Sequence, residues 1–369
     1  MKPVKIDLIA AARPNFMKVA PLLKALRGEV WCQTRLVHTG QHYDTNMSDA
    51  FFHDLGLPAP DVQLGVGSGS HAEQTAGVML AYERACLADR PDWAVVVGDV
   101  NSTLACTITA TKLGVKVAHL EAGLRSGDRT MPEELNRLAT DALADLLWTP
   151  SADADENLLR EGISPERIAL VGNIMIDSLV MMRPSIEKRR YHDELGLPAN
   201  QFGVITLHRP SNVDDPARLS QLVSLITAAA LHGPVVFPVH PRTRLRLANQ
   251  GLLTALTVAG VTLLEPAGYV DFMSLVFNAR YVFTDSGGVQ EETTYLGVPC
   301  LTLRDSTERP VTVSEGTNKL VTMESVRGDL EEVFAGRWKK GRIPHLWDGQ
   351  AAVRVVSSLR QAAVGGDSS

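Results

Sequence analysis

Three acid-bearing segments in the first half of the chain could carry out acid–base chemistry. They are GDVNST with Asp99, HLEAGLRS with Glu121, and PEELNR with Glu133 and Glu134. Asp99 and Glu121 each follow a short apolar run, so we expect each at the carboxyl end of a buried strand, where open parallel sheets bind ligands. Because removing an unpaired carboxylate from water is costly, acids at two strand ends indicate a reaction site.

A phosphate-binding pattern occurs in the second half of the chain, in TDSGGVQEE. The apolar run before it predicts a strand that ends at Thr284, and the residues from Gly287 and Gly288 onward predict the first turn of a helix. The glycines let a ligand approach the backbone, and the positive end of a helix favours a phosphate. Arg304 and Arg309 in RDSTERP add cations near the same sheet edge. The alternative interpretation is a tight turn followed by a solvated charged loop.

Further basic groups follow two other predicted strands. Arg13 comes after the first strand in AARPNFMK, with Lys18 one turn into the next helix, and His208 with Arg209 follows the strand GVITL. An isolated histidine is usually a satisfied core or surface residue, but the strand-end position and the neighbouring arginine favour a ligand contact for His208. His240 also follows a strand and is expected at most to line a site.

Short runs of β-branched residues alternate with amphipathic stretches of helical length along the whole chain. Because the runs are continuously apolar, they predict parallel strands covered on both faces. Stretches such as 14–27 and 216–231 have the length and period of the connecting helices. The pattern predicts an α/β fold of doubly wound sheets, with strands at Ile6–Ala11, Arg35–Thr39, Ala94–Val97, Val115–Leu120, Leu146–Thr149, Arg167–Val171, Gly203–Leu207, Val235–Val239, Thr262–Leu264, Tyr281–Thr284 and Cys300–Leu303.

Two domains of similar size are expected from a chain of 369 residues with 45% hydrophobic content. A seam falls near Gly172, where a charged stretch follows and the alternation of strands and helices restarts at Phe202. We predict an N-terminal domain over 1–171, carrying the acids, and a C-terminal domain over 172–349, carrying the phosphate pattern, which face each other across a cleft. A final helix at 350–364 is expected to pack back on the first domain.

Composition narrows the class of partner and the compartment. The 36 Lys and Arg residues against 42 Asp and Glu residues give a net charge of −6, so a nucleic-acid or anionic membrane surface is not expected. The four cysteines are far apart and show no CxxC pair, which indicates a reducing compartment without disulfides or a zinc site. No apolar stretch approaches the ~18 residues of a membrane span, and no signal-peptide pattern is present. We therefore expect a soluble, cytoplasmic protein.

Many separate motifs, in the same order over nearly the full chain, resemble one known family. They are ARPNFMKVAPL, TGQHYD, GDVNST, HLEAGLRS, PEELNR, TLHRPSN, TDSGGVQEE and RDSTERPVTVSEGT, and they are similar to those of the non-hydrolysing UDP-N-acetylglucosamine 2-epimerases. The resemblance implies two Rossmann-like domains in the glycosyltransferase-B-like arrangement, a nucleotide sugar in the cleft, and homodimers. It also implies interconversion of UDP-GlcNAc and UDP-ManNAc without NAD or a required metal. The first turn, AARPNF, lacks the G-x-G-x-x-G fingerprint of an NAD-dependent epimerase.

The chemistry of such an epimerisation explains why acids and cations are both needed. The proton at sugar C2 is not next to a carbonyl, so its direct removal would leave a carbanion that nothing delocalises. If UDP departs from C1, a carboxylate base can take the C2 proton to give 2-acetamidoglucal, and UDP adds back after a proton returns to the other face. Cations and backbone donors must hold the departing diphosphate meanwhile.

Candidate site residues follow from the resemblance, position by position. Asp99, Glu121 and Glu133 match the catalytic acids, and His208 is counted with them; which acid takes the C2 proton and which returns it stays open. Because PEE also commonly begins a helix, where the dipole favours acids, Glu134 is the alternative to Glu133. The other matched positions are Arg13, Lys18, Arg137, Ser286, Gly287, Gly288 and Arg309 around the diphosphate and cleft, Glu292 at the ribose, and Tyr269 and Phe272 at the uracil. Aromatics at the spacing of the last two more often belong to a helix core.

The segment LRSGDRTM, between two of the acids, is shorter than in the best-known bacterial members of the family. It resembles a sister group that acts on UDP-2,3-diacetamido-2,3-dideoxyglucuronic acid, whose C6 carboxylate would need a partner such as Arg125, Arg129 or Arg242. Gln41 and His42 match part of a second, activating UDP-GlcNAc site of some members, but the loop GVGSGSHAEQ lacks the arginine that those members carry. Substrate activation is therefore not predicted.

Functions of other classes are compatible with parts of the pattern. A retaining glycosyltransferase would share the cleft and the phosphate site, but it would not need three acids clustered in the first domain. A nucleotide-sugar binding or regulatory protein would keep the cations and tolerate loss of the acids. A hydrolysing epimerase usually carries a sugar-kinase domain, for which we expect no room in 369 residues. The presence of all three acids ranks the non-hydrolysing epimerase first.

Overall fold

The computed structural model of the protein describes residues 2–11, 13–40 and 55–365, apart from the side chains of residues 13 and 14. The predictions made for Gln41 and His42 therefore lie outside the described residues. Throughout the described part of the chain, no helix has both the length and the apolar character that crossing a bilayer requires.

The chain divides into two compact units. Unit 1 comprises Met1–Met181 and His345–Ser369, and unit 2 comprises Met182–Pro344. The division falls inside the helix Ile174–Arg189, ten residues after the predicted seam, because buried residues of this helix such as Leu179 continue the core of unit 1 beyond its last strand. The chain returns to unit 1 five residues before the predicted start of the final helix.

Unit 1 is built on a sheet of continuously apolar strands. The described strands are β1 (Val4–Ala10), β2 (Cys32–His38), β3 (Val62–Gln63), β4 (Trp93–Val97), β5 (Lys116–Leu120), β6 (Leu146–Thr149) and β7 (Ile168–Leu170). They pair in parallel in the order β3-β2-β1-β4-β5-β6-β7. All five residues of β4 are buried, as expected for a strand covered on both faces. The helices are α1 (Arg13–Arg27), α2 (His71–Ala88), α3 (Asn101–Lys112), α4 (Pro132–Leu143), α5 (Ala152–Arg160), α6 (Ile174–Arg189) and the final helix α16 (Ala351–Val364).

Unit 2 repeats this construction on a smaller sheet. Its described strands are β8 (Gly203–Thr206), β9 (Val235–Pro238), β10 (Val261–Leu264), β11 (Tyr281–Thr284), β12 (Cys300–Leu303) and β13 (Asn318–Val321), paired in parallel in the order β10-β9-β8-β11-β12-β13. Its helices are α7 (Tyr191–Glu194), α8 (Pro210–Val213), α9 (Pro216–Ala230), α10 (Pro241–Asn249), α11 (Leu253–Val258), α12 (Tyr269–Phe277), α13 (Gly287–Leu296), α14 (Pro310–Ser314) and α15 (Val326–Phe334).

The strand order reverses once in each sheet. In unit 1 the chain adds β2 and β3 on one side of β1 and then crosses to β4 on the other side. In unit 2 the chain adds β9 and β10 on one side of β8 and then crosses to β11 on the other side. Ligands of open parallel sheets bind outside the carboxyl ends of the strands at such reversal points. The candidate residues after β1, β4 and β5, and those after β8, β11 and β12, therefore lie at the ligand-binding edge of each sheet.

The α/β fold class with doubly wound sheets is confirmed. Each strand predicted from an apolar run is present, with its ends shifted by at most three residues. Two edge strands, β3 and β13, lie outside the predictions. β3 has only two residues, and β13 begins with Asn318 and Lys319, so neither contains the apolar run that indicates a buried strand. Short or charged edge strands also limit pairing with other chains.

The carboxyl-terminal segment joins unit 1 through close backbone contacts. Gly172 has a φ of +87°, and a Cβ at this position would lie 2.1 Å from the carbonyl oxygen of Leu346, so glycine is required. The indole of Trp347 is buried and donates to the carbonyl of Pro150 at 2.9 Å. The carboxylate of Asp177 accepts hydrogen bonds from the first amides of α16, which satisfies that helix end. α16 packs against α1.

Candidate functional site

The turn after β4 is the point at which α1 reaches the carboxyl edge of the unit 1 sheet. Gly98 has a φ of +68°, and a Cβ there would lie 3.2 Å from Nζ of Lys18 and 3.5 Å from Nδ2 of Asn15. The Asn15 amide donates to the carbonyl of Val97 at 2.7 Å. Glycine at this position therefore lets two polar side chains of α1 lie against the turn that carries Asp99.

Glu121 lies directly after β5 in a strained backbone conformation. Its φ is +70°, in the left-handed region that residues other than glycine rarely adopt. The side chain is 4% exposed, and Oε2 forms an ion pair with Lys18. Oε1 is buried and has no hydrogen-bond partner among the described residues. One carboxylate oxygen is thus paired with a buried cation, while the other is an unused acceptor.

Arg137 on α4 joins two of the acidic segments. Its side chain is 3% exposed, and its guanidinium contacts the carboxylate of Asp99 through Nη1 and that of Glu134 through Nη2, the latter at 2.7 Å. Asn136 donates to the backbone carbonyl of Asp99 at 2.9 Å. α4 therefore fixes both the backbone and the side chain of Asp99, whose carboxylate is 33% exposed and can still reach a ligand.

Glu133 and Glu134 both lie in the first turn of α4 but have different surroundings. Glu134 is buried, and its carboxylate accepts hydrogen bonds from the backbone amides of Ser126 and Gly127 and from Arg137. Burial alone would raise the pKa of Glu134, but these hydrogen bonds lower the pKa below its usual range. Glu133 is exposed. The alternative in which Glu134 replaces Glu133 as an acid is disfavoured, because the Glu134 oxygens are already occupied.

Asp285 holds the ring of His208 at the carboxyl ends of β8 and β11. Its buried carboxylate accepts from the backbone amides of His208 and Arg209 and from the side chain of Asn212, and it lies 3.0 Å from Nδ1 of His208. Burial alone would raise the pKa of Asp285, but His208 and the other donors lower it. Nδ1 therefore donates to an ionised carboxylate, and Nε2 is the nitrogen that can contact a ligand. The ring of His240 lies beside it, with 5.6 Å between centroids.

The amino-terminal end of α13 adjoins a cluster of four buried charges. Glu308 pairs with Arg309 at 2.6 Å and with Arg304 at 2.9 Å, and Arg309 also pairs with Glu291 at 2.8 Å. A Cβ on Gly287 would lie 2.7 Å from Oε1 of Glu308 and 3.5 and 3.7 Å from the two guanidiniums. Burial alone would raise the pKa of Glu308, but the arginines hold it well below its usual range. A protein carboxylate therefore occupies an anion-binding corner formed by a helix end and two arginines.

The buried Glu292 and the partly exposed Tyr269 form a pair in unit 2. The phenol of Tyr269 donates to Oε1 of Glu292 at 2.9 Å. Burial raises the pKa of Glu292 to about 8, with Tyr269 opposing the shift and Glu291 adding to it. Phe272, on the next turn of α12, is partly exposed. The residue assigned to the ribose and one of those assigned to the uracil are therefore in direct contact.

The structure places the predicted site residues at the carboxyl edges of the two sheets. Arg137, predicted around the diphosphate and cleft, has its guanidinium paired with Asp99 and Glu134. Arg13 begins α1, and its side chain lies outside the described part of the chain. Unit 1 holds Lys18, Asp99, Glu121, Glu133 and Arg137, and unit 2 holds His208, Tyr269, Phe272, Ser286, Gly287, Gly288, Glu292 and Arg309.

Several residues that shape the two sites are absent from the sequence predictions. Asp285 directly follows β11, just as Asp99 and Glu121 closely follow β4 and β5. The same search for an acid after an apolar run could therefore have found it. Asn15 and Glu308 give no such signal, because their roles depend on contacts with segments far away in the chain, at Val97 and at the start of α13.

The protein has two doubly wound sheets. The unit 1 sheet has acids at its carboxyl edge, and the unit 2 sheet has an anion-binding corner at its carboxyl edge. This is a nucleotide-sugar enzyme of glycosyltransferase-B-like fold. Comparison with known proteins identifies the family. The family model described as UDP-N-acetylglucosamine 2-epimerase matches residues 24–360, and the chain belongs to this family. The enzyme class is that of the UDP-sugar 2-epimerases, which are carbohydrate isomerases. The resemblance seen in the sequence is therefore confirmed.

Individual relatives cover most of the chain. It is 42% identical over 325 residues to the UDP-N-acetylglucosamine 2-epimerase of Methanocaldococcus jannaschii. That alignment covers 86% of this chain and 88% of the M. jannaschii protein. It is 41% identical over 367 residues to the UDP-2,3-diacetamido-2,3-dideoxy-D-glucuronate 2-epimerase of Pseudomonas aeruginosa, covering 96% and 99% of the two chains. The crystal structure of the M. jannaschii enzyme in complex with UDP-GlcNAc and UDP matches with a TM-score of 0.84 and 38% identity, over 96% of this chain and 99% of that one.

Replacing Glu134 by alanine is expected to destabilise the protein by about 3 kcal/mol, because buried Arg137 would lose one of its two counterions and two loop amides would lose their acceptor. Replacing the exposed neighbour Glu133 by alanine should change the free energy of unfolding by no more than about 0.5 kcal/mol. Denaturant unfolding of the two variants measures the difference. Equal stabilities would contradict the structural role assigned to Glu134.

The raised pKa of Glu292 predicts a pH-dependent contribution to stability. With a pKa of 4.5 in the unfolded chain and about 8 in the folded protein, the neutral carboxyl stabilises the fold fully below pH 4.5, and this contribution is lost as the pH rises towards 8. Glu292→Gln removes the titration, so the variant should gain stability relative to wild type between about pH 5 and pH 8.5. Urea unfolding at both pH values tests this, with exposed Glu331→Gln as the control. Parallel pH dependences of wild type and Glu292→Gln would refute it.

Proposed function

We propose that this enzyme is a non-hydrolysing UDP-GlcNAc 2-epimerase that interconverts UDP-GlcNAc and UDP-ManNAc. The observation that carries the proposal is the pairing of two acids with buried cations at the carboxyl edge of the unit 1 sheet, Glu121 with Lys18 and Asp99 with Arg137. The M. jannaschii relative, whose crystal structure contains UDP-GlcNAc and UDP, supports this choice of substrate.

The proposed reaction is an elimination followed by an addition. The C1–O bond breaks and its electron pair leaves with UDP, a carboxylate removes the C2 proton, and the C–H electrons form the C1=C2 double bond of 2-acetamidoglucal. A proton then adds to the opposite face of C2, and the UDP oxygen re-forms the bond to C1. Asp99, Glu121 and Glu133 share the roles of base, acid and negative charge beside the oxocarbenium-like ring.

Glu121 is well suited to contact the reacting sugar. Its Oε1 is an acceptor without a partner among the described residues, and Lys18 balances the charge at Oε2. The strained backbone of Glu121 is of the kind that clusters at active sites, where the surrounding structure maintains an unfavourable conformation. Asp99 is oriented by Arg137 while remaining accessible, so both acids are held in fixed positions before substrate binds.

We infer that unit 2 binds the UDP part of the substrate. The first-turn amides of α13, which follow Ser286, have no partners within the helix and are suited to a phosphate. Arg304 and Arg309 lie at the same helix end, and His208, held by Asp285, adds a further donor for the departing diphosphate. The remaining groups are assigned to the nucleoside, with Glu292 at the ribose and Tyr269 and Phe272 at the uracil.

A second substrate, UDP-2,3-diacetamido-2,3-dideoxyglucuronate, is favoured by two observations. The P. aeruginosa relative named for that substrate is 41% identical to this chain over 96% of it, and the short segment LRSGDRTM resembles that sister group. Two of the three arginines considered for its C6 carboxylate are already paired, Arg125 with Asp141 and Arg242 with Asp214, while Arg129 is exposed. We therefore rank UDP-GlcNAc first.

We also propose that the enzyme is a cytoplasmic homodimer that works without NAD or a metal. The proposed chemistry exchanges a proton at C2 and needs no hydride carrier. The four cysteines are free thiols, as expected in a reducing compartment. Homodimers are what the family resemblance implies for the assembly.

Proton NMR of the purified enzyme with UDP-GlcNAc in deuterated water tests the proposed function. We expect signals of UDP-ManNAc to appear and deuterium to enter C2 of both sugars, because the C2 proton exchanges with solvent in the glycal mechanism. Turnover of the diacetamidoglucuronate substrate alone would select the second candidate. Release of UDP only when an acceptor sugar is added would instead indicate a glycosyltransferase.

Changing Asp99 to asparagine or Glu121 to glutamine is expected to reduce turnover by about 100-fold or more while leaving UDP affinity nearly unchanged, because acid–base catalysis is lost and the UDP-binding groups remain. Asp145→Asn, a carboxylate that accepts from Val117 at the opposite edge of the sheet, is the matched control and should retain activity. Steady-state kinetics and calorimetric titration with UDP separate the two effects. Equal losses of turnover and UDP affinity would show that the acids serve binding rather than catalysis.

Glu308→Gln is expected to tighten UDP binding by about tenfold, because it removes a negative charge beside the position proposed for the diphosphate and leaves both arginines in place. Glu315→Gln, which removes the same charge from an ion pair with Arg342 elsewhere in unit 2, controls for long-range effects and should bind UDP as wild type does. Calorimetric titration measures both affinities. Weaker binding by Glu308→Gln would mean that Glu308 positions the arginines for UDP.

A further inference from the structure

His119 on β5 is a fully buried histidine whose two ring nitrogens both meet acceptors. Nδ1 lies 2.6 Å from a carboxylate oxygen of Asp141, and Nε2 lies 2.9 Å from the backbone carbonyl of Gly98. In the sheet His119 is flanked by the apolar residues Val96 of β4 and Leu147 of β6. No sequence pattern singles out this histidine, and none of the catalytic steps above uses it.

The hydrogen-bond partners determine the protonation of the ring. A backbone carbonyl can only accept, so Nε2 carries a hydrogen. The Asp141 carboxylate also accepts from the backbone amide of Gly123 at 3.0 Å and pairs with Arg125 at 2.8 Å. Because the Gly123 amide and the Arg125 guanidinium both face the Asp141 carboxylate, its ionised form is favoured. An ionised Asp141 requires a hydrogen on Nδ1 as well, and the ring is then an imidazolium. In a neutral ring with its hydrogen on Nε2, Nδ1 could only accept, and the short contact with Asp141 would require a protonated Asp141.

The charged groups around the ring are balanced. Asp141 faces the ring from α4, and Arg125 approaches Asp141 from the loop after β5 while pairing with Glu161 at 2.6 Å. The cluster therefore contains two positive and two negative charges when His119 is protonated. Glu161 is exposed, so removing the ring proton would take away one of the two cationic partners of buried Asp141 and leave only Arg125 to balance its charge, which is unfavourable.

The cluster joins three segments that carry residues of the proposed active site. Gly98, which accepts from the ring, directly precedes Asp99, and Gly123, which donates to Asp141, lies two residues after Glu121. Asp141 lies one helical turn after Arg137 on α4, on the same face of the helix. The buried pair of His119 and Asp141 thus connects the backbone turns of both acids with the helix that orients Asp99.

We propose that His119 is a positioning residue for the epimerase reaction, held as an imidazolium by Asp141 so that it fixes the turns that carry Asp99 and Glu121. The proposal rests on the proposed function for its catalytic consequence. Its structural content, a doubly protonated ring that bridges Asp141 and Gly98, does not depend on which sugar nucleotide is the substrate.

The protonation state is tested on the wild-type enzyme labelled with ¹⁵N-histidine, without substrate. We expect the long-range ¹H–¹⁵N spectrum to show a hydrogen on both nitrogens of His119 at neutral pH, because each nitrogen faces an acceptor. The His119→Gln spectrum assigns the signal. A ring with one hydrogen at neutral pH would overturn the proposal, whatever the substrate is.

The positioning role is tested by kinetics of His119→Gln and Asp141→Asn. Each is expected to lower kcat on the order of 100-fold while KM and UDP affinity stay within about twofold, because the acids are displaced slightly and the UDP-binding residues are untouched. The double variant should lose no more than the worse single variant, since both changes break the same unit. His192→Gln, a buried histidine of unit 2 that stacks on Phe202, is the matched control and should retain activity.

Two kinetic results would overturn the positioning role. One is an unchanged kcat in folded His119→Gln, and the other is additive losses in the double variant, which would mean that the two residues act separately. If wild type turns over the diacetamidoglucuronate substrate instead of UDP-GlcNAc, the same measurements are made with that substrate. Failure of the proposed function and failure of this inference are therefore distinguishable.

Discussion

Charged side chains held away from water are the constraint on which both sites depend. A buried carboxylate or guanidinium is tolerated only when an opposite charge and hydrogen bonds replace its lost hydration. Lys18 meets this requirement for Glu121, and Arg137 meets it for both Asp99 and Glu134. Glu121 and Asp99 therefore each have a partner on another segment, and the buried charges of Lys18 and Arg137 are compensated only when both segments have folded.

The topology of the sheets makes such pairing possible between residues that are distant in sequence. Lys18 and Glu121 are separated by 103 positions, and His208 and Asp285 by 77. Parallel strands bring their carboxyl ends to one edge, so each turn after a strand meets the turns of its neighbours. The same architecture serves two tasks, since unit 1 presents acids at this edge and unit 2 presents a helix end with arginines.

The fold and the strand-end positions of Asp99 and Glu121 could be predicted, whereas most of the partners of these acids could not. Continuous apolar runs reveal buried strands because each strand must satisfy two covered faces, and Asp99 and Glu121 stand out because they follow such runs. The pairing of Arg137 with Asp99 depends on how α4 packs against the turn after β4, which no local pattern encodes. Glu133 and Glu134 are adjacent and chemically identical, and only the closure of the loop at Ser126 onto Glu134 separates their roles.

The positive φ of Glu121 has a consequence for how this enzyme can change over evolutionary time. Glycine would relieve the backbone strain at position 121. Selection for thermal stability alone would therefore favour replacing Glu121 by glycine. A charged side chain in this conformation marks a position where the proposed catalytic role and the folding energy are opposed. Stabilised descendants that keep the carboxylate proposed for catalysis must therefore gain their stability at other positions.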